Sequence, residues 1–173
     1  AANVLRFGRD LLFRVSATGN ELGGRWLQRV LGDKFTVHFM KDVYYGSHID
    51  STLVALKPGL LLANPARLSP DTIPPFLKQW EILFSPPMEN QDRYTADYLE
   101  QAIGSEWIDM NLFSLGPDTV VVDRDQTALI KLLESHHMEV VPLKLRHSRM
   151  MGGGFHCVTL DTRRRGKMES YFD

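Results

Sequence analysis

A single cysteine stands in 173 residues, so no disulfide forms within the chain and the fold has to rest on apolar burial. A reducing compartment, the cytoplasm, is therefore expected. No apolar run approaches the ~20 residues that a membrane-crossing helix needs, and no membrane partner is expected. Neither sign of charge prevails: 20 Lys and Arg face 21 Asp and Glu for a net charge of -1, which gives no reason to expect nucleic acid as partner. The 6 histidines show no metal-ligand spacing, and no metal or other cofactor is expected. The opening AANVLRFGRD has neither an initiator methionine nor a signal-peptide pattern and reads as the interior of a longer chain. What remains is an ordinary globular mix, 43% hydrophobic and 24% charged, long enough for one domain with a sizeable core.

The most distinctive stretch present is LRHSRMMGGGFHCVTLD, residues 145–161, which sets the lone Cys157 behind Gly152, Gly153, Gly154 and His156. Consecutive glycines read as backbone bent tightly around something, because glycine tolerates angles and close approaches closed to other residues. The apolar residues 158–160 then read as a short strand with Cys157 at its mouth. A cysteine so placed is a candidate nucleophile if a histidine, cation or dipole favours its thiolate; the alternative is a small buried hydrophobe. His156 would face away from Cys157 in strand geometry and is expected to be structural.

Along the chain, residues 6–13 have helix-compatible spacing. Asn20 caps a helix in which Leu22, Trp26, Leu27, Val30 and Leu31 share one face before Gly32 ends it. Phe35, Val37 and Phe39 alternate as a strand. Then come a strand at 52–56, a Pro58-Gly59 turn, a strand at 60–63, a helical segment at 73–79 and a strand at 81–84. The same order returns as strand 111–115, turn 116–118, strand 120–123, helix 126–136 and strand 139–143: a ββαβ unit written twice. His48, residues 104–107 and Cys157 each precede the first strand of a unit, so chemistry is expected to collect in the loops ahead of those strands. Residues 85–98 are rich in proline and polar side chains and read as a loop or lid. Arg163-Arg164-Arg165 reads as ion-pair donors or a solvated edge rather than a nucleic-acid patch, and His136 and His137 sit at a helix end that suits imidazolium.

GGGFHC followed by Arg163-Arg164-Arg165-Gly166 resembles the C-terminal end of the arginine amidinotransferases. Ser47-His48-Ile49-Asp50-Ser51-Thr52 with Ala63-Asn64-Pro65-Ala66-Arg67 is similar to the segment holding that family's catalytic histidine. Further similarities at Gly8-Arg9-Asp10, at Trp107 with Met110-Asn111, and at Glu169-Ser170-Tyr171 carry the resemblance across residues 1–173. It implies the pentein-type α/β propeller, ββαβ modules around a pseudo-fivefold axis, with this chain as the C-terminal portion of a single catalytic domain. It also implies transfer of the amidino group of L-arginine to an acceptor amine, with Cys157 as nucleophile and His48 as acid and base. Asp50, Arg67, Ser105, Tyr45 and Ser47 are the implied substrate-binding residues, and a homodimer is the expected assembly.

The chemistry asks for those residue types. The guanidinium carbon is a poor electrophile, and a thiolate divides the transfer into two easier steps through an amidino-cysteine. A planar cationic substrate suits carboxylates such as Asp50 placed for paired hydrogen bonds, and Arg67 suits a substrate carboxylate. If strand geometry reaches back from Thr52, His48 and Asp50 point to one side. The chain departs from the family in lacking the aspartate that orients the histidine, which belongs ahead of Ala1; Asp10 matches a different family position, in a helix. Tyr45, Ser47 and Gly104 differ from the vertebrate glycine enzyme and resemble enzymes of aminocyclitol or toxin pathways, which implies an acceptor larger than glycine. The rival readings are an arginine deiminase or dimethylargininase of the same fold, and a fragment without catalysis.

Overall fold

The computed structural model describes residues 2–44, 46, 48–89 and 104–172, and the chain divides into two compact units. The first comprises Ala1–Ile82 and Arg163–Asp173, the second Leu83–Thr162.

The first unit begins with a difference from expectation. Residues 6–13 are not a helix: they lie in two strands, β1 (Val4–Phe7) and β2 (Asp10–Arg14), paired antiparallel with Phe7 opposite Asp10. Every residue of β2 is buried, so its apolar run is unbroken and its spacing does not tell strand from helix. Gly8 decides the matter at φ 60°, a left-handed angle that turns the chain back on itself. Helix α1 (Glu21–Leu31) follows, with Asn20 Oδ1 accepting from Gly23 N–H and Gly32 ending it as expected. It returns the chain to β3 (Thr36–Met40), parallel to β2, and completes a ββαβ module.

The apolar residues of α1 divide between two faces. Leu27 and Leu31 pack with Leu11, Phe13 and Val37, whereas Leu22, Trp26 and Val30 point outward. Gly24 is buried on the core face of α1, where a Cβ would collide with the ring of Phe39. The second sheet has the order β4 (Leu53–Lys57), β5 (Leu60–Ala63), β6 (Glu81–Phe84). Its connection at Pro75–Gln79 is a 3-10 turn rather than an α-helix, with Pro75 at the first position, where no N–H is needed.

The second unit holds β7 (Phe113–Ser114) antiparallel to β8 (Thr119–Asp123), helix α2 (Thr127–Ser135) and β9 (Glu139–Leu143) parallel to β8. The ββαβ order read from the sequence is thus present here and, unforeseen, at the start of the chain. Glu89 caps α2, its carboxylate accepting from Thr127 Oγ1 and Ala128 N–H, and those donors hold its pKa down. His136 sits at the end of α2, its Nδ1 2.9 Å from the Leu132 carbonyl. A short helix α3 (Ser148–Met151) leads to Gly152 at φ 69°. Residues 158–160 do not form a strand: among the described residues they pair with none, and the Val158 and Leu160 side chains are exposed. Of the expected loop at 85–98, residues from 90 onward lie outside the described residues.

Two motifs far apart in sequence form one contact. Arg9 N–H donates to the Glu169 carbonyl at 3.1 Å, and a Cβ on Gly8 would overlap that same carbonyl. Tyr171 and Phe172 then enter an aromatic cluster in which Phe7 packs edge-on against Phe76, Trp80 and Phe172. Asp10 sits in strand β2, not in a helix, with Oδ1 2.6 Å from Nε2 of His38, whose ring stacks on Phe76 at 3.9 Å. Replacing Gly8 with valine combines the overlap with a backbone angle hostile to a β-branched residue and is expected to cost about 2 kcal/mol or more. The measurement is the urea midpoint of the intact protein, and an unchanged midpoint would mean that the Glu169 segment is not docked there.

Candidate active site

His48 lies in the segment between β3 and β4, outside both strands, with φ 67°. Expected strand geometry reaching back from Thr52 is absent, because residues 50–52 form a turn in which Thr52 and Leu53 N–H both donate to the Ile49 carbonyl. Ile49 fixes that turn: its side chain is buried and its N–H donates to Ala2 O at 2.8 Å. The shared side expected for His48 and Asp50 is present, with an imidazole nitrogen of His48 and a carboxylate oxygen of Asp50 within 4.8 Å of each other, but the turn rather than strand alternation produces it, and Asp50 is buried within that turn.

A non-glycine residue at positive φ needs support from its surroundings. Asn3 Oδ1 accepts the His48 N–H at 3.3 Å, and Arg14 holds the carbonyls. The Arg14 side chain is 1% exposed and its guanidinium donates to the main-chain oxygens of Tyr44, Gly46 and His48, the last two at 2.7 and 2.9 Å. Desolvation lowers the Arg14 pKa from its ordinary value, with the charge of Arg67 adding to the effect. The loop thereby gains a rigid three-carbonyl anchor from strand β2.

Arg67 closes the other flank. It donates to Ser51 O, Ser51 Oγ and Thr52 Oγ1 at 3.1, 3.0 and 2.8 Å, and its guanidinium lies 3.9 Å from the centre of the Tyr44 ring. Burial lowers its pKa as well. The Asn64-Pro65-Ala66-Arg67 motif is explained by this contact, since Asn64 Nδ2 donates to Ser51 O and Asn64 Oδ1 accepts from Ala66 N–H. His48, Asp50 and Arg67 thus belong to one folded segment of the first unit. Tyr45 and Ser47 lie outside the described residues.

In the second unit Ser105 opens a turn, accepting Trp107 N–H at Oγ (3.1 Å) and Ile108 N–H at its carbonyl (3.0 Å). A 3-10 turn at Ile108–Met110 follows, all three side chains buried, with Asp109 accepting from Gln126 Nε2 at 2.9 Å. It delivers Asn111, 1% exposed, to the glycine-rich segment.

Cys157 is exposed and sits in a turn instead of at a strand mouth. The strand argument that set His156 apart therefore lapses; its N–H donates to the Asn111 carbonyl at 3.2 Å. Cys157 N–H donates to Asn111 Oδ1 at 2.9 Å, and Val158 N–H to Gly154 O at 3.3 Å closes the turn. The close packing predicted for the glycines is around Asn111: a Cβ on Gly154 would lie 2.5 Å from Asn111 Cβ, and one on Gly153 would lie 3.1 Å from Cys157 Cβ. Arg163, Arg164 and Arg165 are exposed and belong to the other unit.

Sequence reasoning missed Arg14 altogether and noticed Asn111 only as part of a motif. Arg14 carries a readable signal, a cation directly behind the apolar run Leu11-Leu12-Phe13, and a buried cation is retained where partners meet its donors. Arg14→Met would leave three carbonyls without their donor and is expected to cost about 2–4 kcal/mol. Arg14→Lys should recover only part, since one ammonium cannot reproduce the guanidinium fork. Chemical denaturation of the intact protein measures both, and equal stability of wild type and R14M would exclude the anchor.

No protein-family model matches the chain. Inosamine-phosphate amidinotransferase 1 of Streptomyces glaucescens is 52% identical over 171 residues, which are 99% of this chain and 48% of that protein. The chain thus spans about half the length of the curated relatives it matches. Among solved structures, inosamine-phosphate amidinotransferase from Streptomyces griseus superposes with a TM-score of 0.93 at 51% identity, covering 99% of this chain and 48% of that one. An amidinotransferase of Microseira wollei from the saxitoxin pathway gives 0.87 at 34%, with 99% and 49% covered. Likeness of sequence and of fold over nearly the whole chain identifies it as homologous to part of the arginine amidinotransferases, with their pentein-type α/β fold.

Proposed function

We propose that residues 1–173 are the C-terminal portion of the catalytic domain of an enzyme that moves the amidino group of L-arginine to an acceptor amine. The single observation that carries this reading is 52% identity to an inosamine-phosphate amidinotransferase across 99% of the chain. It is supported by the exposed Cys157 in its turn and by His48 on a braced loop.

In this mechanism the Cys157 thiolate attacks the guanidinium carbon of arginine to give a tetrahedral adduct. The carbon–nitrogen bond to the ornithine side chain breaks while His48 delivers a proton to the departing nitrogen, leaving an amidino-cysteine. The acceptor amine attacks the same carbon, His48 takes a proton from it, and the carbon–sulfur bond breaks to return the thiolate. Asp50 is assigned to the substrate guanidinium, Arg67 to a carboxylate, and Ser105, Tyr45 and Ser47 to the remaining substrate contacts. An aminocyclitol phosphate is the preferred acceptor, following the relative's name, and a cytoplasmic homodimer completes the reading; an exposed thiol that is not in a disulfide suits a reducing compartment. Among the described residues no helix is long and apolar enough to cross a membrane.

The intact protein incubated with arginine and an aminocyclitol phosphate is expected to form ornithine and a guanidino product, with an amidino adduct on Cys157 seen by mass spectrometry when the acceptor is withheld. Cys157→Ala should abolish product formation, and His48→Gln should lower it by about 10²–10⁴-fold. Citrulline in place of ornithine would replace the transferase by a hydrolase.

A further inference from the structure

We infer that Asn111 is a positioning residue for Cys157, holding the thiol-bearing turn in the one orientation from which the sulfur attacks. The inference rests on the nucleophile role proposed above and adds to it the group that aims the sulfur.

Asn111 reaches the turn by three routes. Its Oδ1 accepts the Cys157 N–H at 2.9 Å, its carbonyl accepts the His156 N–H at 3.2 Å, and its Cβ, carbonyl and Oδ1 all lie within 2.8 Å of where a Gly154 Cβ would stand. The first fixes rotation of the nucleophile's own peptide; the second fixes the peptide before it. The third leaves the turn no room to slide. Asn111 is itself immobilised, 1% exposed between buried Met110 and Leu112, with its N–H donating to Ile108 O. Turn residues on their own are held by few long-range bonds, so an exposed cysteine there would otherwise sample several directions.

The amide is also an unusual choice for a buried brace. Nδ2 of Asn111 is buried with no hydrogen-bond partner among the described residues. A buried donor left unmatched is costly, and a residue retained at that cost is better explained by what its oxygen does than by packing alone. Attack on a guanidinium carbon requires the sulfur at a defined distance and angle, and small misplacements lower the rate steeply.

The experiment uses the intact protein. Two rates are followed in wild type, Asn111→Ala, Asn111→Asp and Gly154→Ala: appearance of the amidino adduct on Cys157 with arginine, and alkylation of Cys157 by iodoacetamide. Hydrogen exchange of the Cys157 amide is measured alongside. Asn111→Ala is expected to slow adduct formation about 10–100-fold with the KM for arginine within about twofold, while alkylation, which needs no fixed angle of approach, changes by less than about threefold. Cys157 amide exchange should rise at least about tenfold, and Asn111→Asp, whose carboxylate still accepts that N–H, should restore protection and most of the adduct rate. Gly154→Ala, which displaces the turn from the opposite side and leaves Asn111 intact, should repeat the loss and covers the case in which the Asn111 variants do not fold. Adduct formation in Asn111→Ala within twofold of wild type, or unchanged exchange, overturns the inference. No adduct in wild type defeats the nucleophile role instead, and the exchange data then still decide whether Asn111 holds the turn.

Discussion

Backbone polar groups outside helices and strands must find partners elsewhere, and that requirement governs both segments that carry the proposed chemistry. His48 and Cys157 each lie in irregular chain, where no ladder supplies donors and acceptors. In each case one buried side chain takes over the work: Arg14 donates to carbonyls of the histidine loop, and Asn111 accepts N–H groups of the cysteine turn. The two braces are complementary in chemistry. A guanidinium, all donors, matches a loop whose carbonyls turn inward; an amide side chain and its own carbonyl match a turn whose N–H groups do.

These braces stand on regular structure. Arg14 ends a fully buried strand paired on both sides, and Asn111 ends a 3-10 turn whose three side chains are all buried. A rigid element thus hands its order to an adjoining loop through one polar side chain, which is how a site on loops reaches the precision that covalent chemistry demands. The same logic appears at the docked segment 169–172, where a glycine in a strand turn exposes room for a carbonyl and aromatic rings seal the contact.

Much of this was legible beforehand. The caps of α1 at Asn20 and Gly32 and the strands 60–63, 81–84 and 139–143 followed from local signals: an oxygen able to accept end N–H groups, a residue free to take a left-handed angle, and runs of β-branched or apolar residues between turn formers. Where expectation failed, burial had erased the signal. The middle of strand β2, Leu11-Leu12-Phe13, is an unbroken apolar run because both faces are covered, and α1 carries apolar residues on an exposed face as well as on its core face, so neither period reported the true environment. The supposed strand after Cys157 failed for the opposite reason, since a strand exists only where a partner strand is in reach.

The sequence by itself determined the ββαβ order, the family resemblance, and the candidacy of Cys157 and His48, because these depend on residue type, spacing and local conformational preference. Tertiary structure alone decided that Arg14 serves the histidine loop 30 and more residues away, that Asn111 sits under Gly154 and Cys157, and that the motifs at 8–10 and 169–171 are two sides of one contact. Each of those pairings joins groups distant along the chain, and the geometry that brings them together is fixed by packing of the core rather than by any property of the residues taken one at a time.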